Sequence, residues 1–320
     1  MDNKQIARRL VVLIGFASVA VFGSPSARAE GKTASAGTVS EAVKAVDLTK
    51  LPLVEGADPP VKQSIGKLTY TIPGDVRVEA FAFHREQLLK DGWTQEQNRS
   101  NIVGTFRKDG YAVTLSTSTY QAGHVTVKME NHGNVDLAKL PMPSGSKELA
   151  FTAESAKFLT ITVPEVTKKA FAKSLSAKGW QPYGAEKDVL YFKQNAIRLA
   201  ARIYPHEQLK GRTLIDIKPE LLEHDLPAPL DATDLKYDDV AGKLTFDTKS
   251  KPDAVAQFYT KELTKKGWKA GAKTLTKATA GQTMKFQNRE EAPLTLLVSI
   301  TGAATHVELQ HELPKDGTGS

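Results

Sequence analysis

The chain contains no cysteine, so disulfides, thiol catalysis, cysteine-built zinc sites and a lipid-bearing N-terminal cysteine are all closed to it. Aromatic residues make up only 7%, with three tryptophans in 320 residues. Beyond residue 29 no apolar run approaches the ~20 residues of a spanning helix, which predicts no stable membrane insertion of the mature chain. Charge of one sign is missing too. Lysines and acids are interspersed throughout, without the clustered basic face of a nucleic-acid binder. Neither His-Glu-x-x-His nor Gly-x-Ser-x-Gly occurs, which removes two common hydrolase signatures. What is present, 40% hydrophobic and 25% charged residues, is an ordinary globular composition. Without disulfides, each folded unit depends on its apolar core.

The first 29 residues read as a secretory signal peptide. Lys4, Arg8 and Arg9 precede an apolar run from Leu10 to Gly23, and Ala27-Arg28-Ala29 is a small-x-small cleavage site. Four bases (Lys4, Arg8, Arg9, Arg28) and one acid (Asp2) leave with this segment, so the net charge falls from +7 to about +4. The mature chain is thus expected to be periplasmic or extracellular. Residues 30–50, small and polar, read as a flexible tether with one short helix at Ser40–Val46.

Two independent markers then repeat. Each tryptophan follows a glycine and lies five residues after a leucine: Leu88/Gly92/Trp93, Leu175/Gly179/Trp180 and Leu263/Gly267/Trp268, at intervals of 87 and 88 residues. Leu-Pro pairs at Leu51, Leu140, Leu226 and Leu313 recur at 89, 86 and 87, the first two inside near-identical Asp-Leu-x-Lys-Leu-Pro strings. This predicts three tandem repeats, over 51–139, 140–225 and 226–313, with a tail at 314–320.

Within each repeat, two short strands precede a helix and three extended segments follow. The second strand is Gly66–Tyr70, Ala156–Thr160 or Gly242–Phe246. The helix body carries Phe83 and Leu88; Val166, Ala170, Phe171 and Leu175; or Val255, Phe258, Tyr259 and Leu263 at helical spacing. Later segments alternate, as in Tyr111, Val113, Leu115 and Leu294, Leu296, Val298, Ile300, which predicts a sheet covered on one side. The fold class is therefore α+β: three tandem ββαβββ modules, each an antiparallel-rich sheet with one helix on one face.

Eighteen residues before each tryptophan stands an N-cap residue type, Asp75, Thr162 or Ser250. The last two open capping-box-like patterns with Glu165 and Asp253. At the other end, glycine as the left-handed C′ residue puts leucine at C3 and tryptophan at C″, the hydrophobic contact of a Schellman cap. A structural role explains all three residue types together; ligand stacking explains only the tryptophan.

Few residues carry chemistry. The seven histidines (His84, His124, His132, His206, His224, His306, His311) are scattered, and His306 and His311 point to opposite faces of one strand. Ser64-x-x-Lys67 has the Ser/Lys nucleophile spacing but lacks its companion motifs. Gly31-Lys32-Thr33 lacks the preceding strand of a phosphate loop, and Asn98-Arg99-Ser100 is a glycosylation triplet. No cofactor or metal is implied. The remaining candidate is the open sheet face, with Thr114, Ser116, His124 and Lys128 in repeat 1 and His306 and Glu308 in repeat 3; it lacks outward aromatics, which argues against a strong sugar platform.

The stretch Phe258-Tyr259-Thr260-Lys261-Glu262-Leu263-Thr264-Lys265-Lys266-Gly267-Trp268 resembles a family of bacterial exported proteins built from tandem modules with a Phe-Tyr-x-x-x-Leu-x-x-x-Gly-Trp helix end. Repeat 1 departs at His84 and repeat 2 at Ala170-Phe171. The resemblance implies a bacterial envelope protein and carries no activity. The expected function is non-catalytic binding or scaffolding of an envelope protein or polymer, without nucleic acid; the alternative is a hydrolase-type enzyme with a site formed between modules.

Overall fold

The alternating segments pair into three separate antiparallel sheets in a computed structural model that describes residues 35–96, 100–121, 123–238, 241–288 and 292–312. The expected leader at 1–29, Gly31-Lys32-Thr33, Asn98-Arg99, the Leu313-Pro314 mark and the tail lie outside the described residues.

A short helix, α1 (Val39–Ala45), comes first. Repeat 1 contains β1 (Lys62–Gln63), β2 (Lys67–Pro73), α2 (Arg77–Lys90), β3 (Thr94–Gln95), β4 (Val103–Lys108), β5 (Tyr111–Gln121) and β6 (His124–Asn131), in sheet order β1-β2-β6-β5-β4-β3. Repeat 2 contains β7 (Lys147–Phe151), β8 (Ala156–Thr160), α3 (Pro164–Ser176), β9 (Gln181–Glu186), β10 (Val189–Gln194), β11 (Ile197–Pro205) and β12 (Thr213–Leu221), in the same order. Repeat 3 contains β13 (Thr233–Asp238), β14 (Lys243–Thr248), α4 (Pro252–Thr264), β15 (Lys269–Ala270), β16 (Thr276–Ala278), β17 (Gly281–Gln287), β18 (Leu294–Thr301) and β19 (Ala304–His311); it keeps the order and adds β16 beside β17.

Each repeat thus has a strand beyond ββαβββ. It follows the tryptophan directly and takes the sheet edge as β3, β9 or β15. Two of these strands have two residues, and β9 runs through Pro182 and Gly184, so none shows a readable alternation. The register also shifts one sequence match. Phe158 faces Ile215 as Tyr70 faces Val127 and Phe246 faces Val307, so β8 sits two residues from the alignment suggested by Lys157 and Lys67.

The helix ends follow one geometry. Trp93, Trp180 and Trp268 donate their N–H to the carbonyls of Leu88, Leu175 and Leu263 (3.0, 3.2 and 3.1 Å). Gly92, Gly179 and Gly267 donate to Leu89, Ser176 and Thr264 (3.1 Å each) at φ of 83, 82 and 86°. That is the paired hydrogen-bond pattern of a Schellman motif, with glycine at the left-handed position. The three tryptophans and three leucines are all buried.

The helix starts differ from the expected caps by one residue. Val76, Val163 and Lys251 occupy the N-cap, none with a side-chain cap hydrogen bond. Pro164 and Pro252 take the first helical position, which sets the cap at the residue before them. Asp75 instead pairs with Arg77 (2.8 Å), Thr162 Oγ1 meets Thr167 Oγ1 (2.7 Å), and Ser250 Oγ donates to Asp231 (3.1 Å). The buried faces shift accordingly: Val166 is exposed while Thr167 is buried, and α2 buries Ala80, Phe81, His84 and Leu88.

The Asp-Leu-x-Lys-Leu-Pro strings form 3₁₀ turns at Leu48–Lys50 and Leu137–Lys139, capped by the Asp47 and Asp136 carboxylates on the N–H of Thr49 and Ala138 (3.1 and 3.2 Å). Their first leucines are buried.

Residues 35–50 are not a tether. Thr38 and Glu41 form a capping box at α1, and Ala36, Ala42, Ala45, Val46 and Leu48 join one continuous core with repeats 1 and 2. The extended piece before the helix is held by amides from both repeats. Gly37 N–H donates to Asn134 Oδ1 (2.7 Å), Ala36 N–H to Gln194 Oε1 (3.1 Å), and Asn195 Nδ2 to the Ala36 carbonyl (2.7 Å).

A backbone accounting explains this strap. At one end of each final hairpin, the N–H of His132, Leu222 or Glu312 donates to the carbonyl of Ala112, Ala196 or Pro293 (2.8, 2.8 and 2.7 Å). In repeat 1 the reciprocal N–H of Ala112 donates to Gly133 (3.0 Å), but in repeat 2 that of Ala196 donates to Gly37 of the strap (3.1 Å). Repeat 3 has Pro293, which has no N–H to satisfy.

Trp180→Ala is expected to lower unfolding stability by about 3–5 kcal/mol, read by urea denaturation. A Cβ at Gly37 would stand 2.1 Å from the Tyr111 hydroxyl. Gly37→Val should therefore cost about 1–3 kcal/mol and speed hydrogen exchange at the Ala196 amide; unchanged exchange there would mean that the strap is not docked.

Candidate functional site

Ionisable groups from all three repeats converge on one segment, Glu220–Leu226, where β12 leads into repeat 3. Glu220 lies opposite Arg198 in the β11–β12 ladder and receives its guanidinium (2.6 Å); Lys67 of β2 reaches the other carboxylate oxygen (2.7 Å). The Arg198 guanidinium lies over the rings of Tyr191 (4.9 Å) and Tyr237 (5.4 Å), contributed by repeats 2 and 3. Burial alone would raise the Glu220 carboxyl, yet Arg198 and Lys67 hold it below the ordinary glutamate value. Glu223 accepts the Ile65 N–H (3.3 Å), a further tie to repeat 1.

Asp225 forms the second bridge. Its carboxylate pairs with Lys193 of β10 and Lys266 at the end of α4, and Lys266 also donates to the Asp225 carbonyl (2.7 Å). The two lysines hold the Asp225 carboxyl low against the effect of burial. The Lys193 ammonium, only 8% exposed, is pushed down to about 8 by burial, which outweighs its attraction to Asp225. Beneath it lies the Tyr183 ring (5.3 Å), whose hydroxyl donates to the Leu226 carbonyl (2.9 Å).

Between these bridges, His224 stacks on His311 with ring centroids 3.7 Å apart, and Trp268 meets His311 edge-on at 5.5 Å. Burial lowers both imidazoles to about 4; Lys62 adds to the effect on His224, and His224 to that on His311. In chemical terms the cluster is a fastener. Each carboxylate is bound by two cations from different repeats. Among the described residues no group of three or more His, Asp or Glu is placed to hold a metal ion.

The sequence-derived candidates fall elsewhere. Thr114 is buried and bonds His132 Nε2 (2.9 Å), so it is not on a solvated face. Ser116 and Lys128 face each other across β5 and β6, Lys128 pairing with Glu130 (3.0 Å); His124 sits at the sheet end opposite Pro73. His306 pairs with Asp247 and Glu308 with Lys243, each at 2.7 Å, on a different sheet. Ser64 Oγ bonds the Lys67 backbone N–H (3.1 Å) while the Lys67 ammonium is on Glu220, so the Ser/Lys spacing is a hairpin turn.

An outward aromatic does exist, in repeat 2. Tyr204 lies on the sheet face away from the helix, with Arg202 over it (5.0 Å), whereas Tyr191 on the same side packs against the core of repeat 3 under Arg198. Tyr191 was hidden in the unbroken apolar run Val189-Leu190-Tyr191-Phe192, where alternation has no phase. The junction left one sequence signal, the charged string Glu223-His224-Asp225 against the Leu226-Pro227 mark.

The profile of the family described as START domain-like matches residues 231–306, which span β13 to the first three residues of β19 and less than a third of the chain. No curated protein and no solved structure matches the sequence.

The stacked histidines stay neutral in the fold down to about pH 4, whereas an unfolded imidazole takes up its proton near 6.5. Across that window the unfolded chain binds more protons, so stability rises with pH and falls as pH drops. His84, lowered to about 4 by burial, adds to the same slope. The urea midpoint should therefore decline from pH 7 to pH 4, and His311→Phe should make the decline shallower. An equally steep profile in the variant would remove His311 from this account.

Proposed function

We propose that the protein is a non-catalytic, exported binding or scaffolding protein of a bacterial cell envelope, with an envelope polymer or protein as its partner. The carrying observation is the use made of its buried charges. Glu220 and Asp225 each bridge cations from two repeats, so the converging ionisable groups bind the repeats to one another. Export rests on the basic, apolar and small-x-small order of residues 1–29 and on the resemblance of the third helix end. The face best suited to an extended partner is that of repeat 2, where Arg202 and Tyr204 lie away from the helix and Lys218 stands opposite small Ala200 in the register. Aromatic rings beside cations offer stacking and hydrogen bonds along a shallow surface.

A hydrolase-type enzyme has one observation in its favour: Lys193, an ammonium with a lowered pKa at the junction of two repeats. Lys193→Met separates the readings. As a fastener, its loss leaves Asp225 under-compensated and should cost about 3–5 kcal/mol of stability. A catalytic lysine instead predicts intact melting and lost turnover of envelope ester or peptide substrates. In parallel, Tyr204→Ala with Arg202→Gln should weaken co-sedimentation of the mature chain with purified cell-wall polymer while melting stays unchanged. Absence of co-sedimentation, together with measurable hydrolysis by the parent chain, would overturn the scaffold.

A further inference from the structure

Three copies of one unit provide an internal control: where one copy differs at a packed position, the difference is local. In the strand beside the edge strand (β4, β10 and β17), Phe106, Phe192 and Phe286 occupy equivalent places opposite Val113, Leu199 and Leu294. Two residues earlier stand Gly104, Leu190 and Met284, so repeat 1 lacks the large apolar side chain of the other two. The helix departs at the facing positions. Counted back from Leu88, Leu175 and Leu263, α2 presents Val78, Phe81 and Ala82 where α3 has Glu165, Lys168 and Lys169 and α4 has Asp253, Ala256 and Gln257. In repeat 3 the Thr260 hydroxyl reaches Met284 Sδ (3.8 Å), which shows how that space is filled there.

In repeat 1 the Phe81 ring takes that space, and beside it a cleft of about 370 Å³ opens between α2 and the β3–β4 edge. Gly104 lets the Phe81 ring settle against the strand: a Cβ there would lie 3.0 Å from that ring and 3.1 Å from Gln95 Nε2. Val78, Phe81 and Ala82 form the apolar wall; Arg85, Gln95 and Asn101 form the polar rim. Val78 is 46% exposed, a large apolar side chain facing solvent at the mouth. Arg85 Nε donates to Gln95 Oε1 (2.7 Å), which fixes the guanidinium at the rim. Among the described residues no carboxylate pairs with it.

We propose that this cleft binds a small organic carboxylate with an apolar body, the hydrocarbon or ring against Phe81, Val78 and Ala82 and the carboxylate on the two terminal nitrogens of Arg85. The volume lies near the lower end of small-molecule sites, roughly 300–1,000 Å³, and a planar guanidinium with its outer edge free matches a carboxylate in two parallel hydrogen bonds. The site goes beyond the scaffold reading, because it belongs to repeat 1 alone and lies away from the 220–226 junction and the repeat 2 face.

Titration calorimetry of the mature chain with octanoate and with 3-phenylpropionate tests it. Binding should weaken about tenfold in Arg85→Gln, the loss of a charge-assisted hydrogen-bond pair. It should disappear in the double variant Phe81→Ala with Gly104→Met, which copies the residues of repeat 3 and whose folding is checked by its melting midpoint. Octanol and octylamine should bind more weakly than octanoate. Three results would each overturn the proposal: no heat with either carboxylate, binding indifferent to both variants, or octanol and octanoate binding equally. If the double variant fails to fold, Ala82→Trp fills the cleft from the exposed helix side and takes its place.

Discussion

Two partly buried carboxylates, each shared by cations from neighbouring repeats, are the constraint on which the arrangement of this protein depends. A carboxylate withdrawn from water is tolerated only when its lone pairs are filled and its charge is matched. Glu220 obtains this from Lys67 and Arg198, Asp225 from Lys193 and Lys266. Neither set is complete within one repeat. The three units therefore meet their electrostatic requirements jointly, and the N-terminal strap extends the principle to the backbone, lending Gly37 as the acceptor for Ala196.

The repeats conserve geometry while exchanging chemistry at matched positions. Under the helix, Tyr70 and His84 share a hydrogen bond of 2.6 Å; the counterparts Phe246 and Tyr259 are tilted rings 6.5 Å apart, with the Tyr259 hydroxyl on the Pro227 carbonyl (3.1 Å). Repeat 2 places Phe158 and Phe171 there, needing no polar partner. Each solution fills the same volume, as a close-packed core demands; in repeat 1 it leaves His84 Nδ1 buried without a hydrogen-bond partner among the described residues. At Gly104 the exchange is of size: the Phe81 ring of the helix covers the glycine in repeat 1, where repeat 3 pairs Met284 with Ala256.

Much of the architecture was legible because it is local. The period, the Schellman-type helix ends, the Asp-capped boundary turns and the strand alternation all follow from residues within a few positions of one another. The errors have the same origin. A strand of two residues and a register shift of two in β8 are settled by pairing partners away from the local sequence, whereas the N-cap offset of one residue is local, set by Pro164 and Pro252 at the first helical position. The small polar segment 35–46 has the composition of a linker, and only its partners Asn134, Gln194 and Asn195 reveal that it is docked.

By itself, then, the sequence determined three α+β units of one period, their helix ends and the absence of cysteine and membrane-spanning runs, since these depend on backbone conformational preference and short-range hydrophobic spacing. Tertiary structure decided which charges met at Glu220–Leu226, which tyrosines faced outward and which copy kept a cleft. Those outcomes depend on residues 20 to 160 positions apart brought within 3 Å, where burial and pairing, rather than propensity, set the energy.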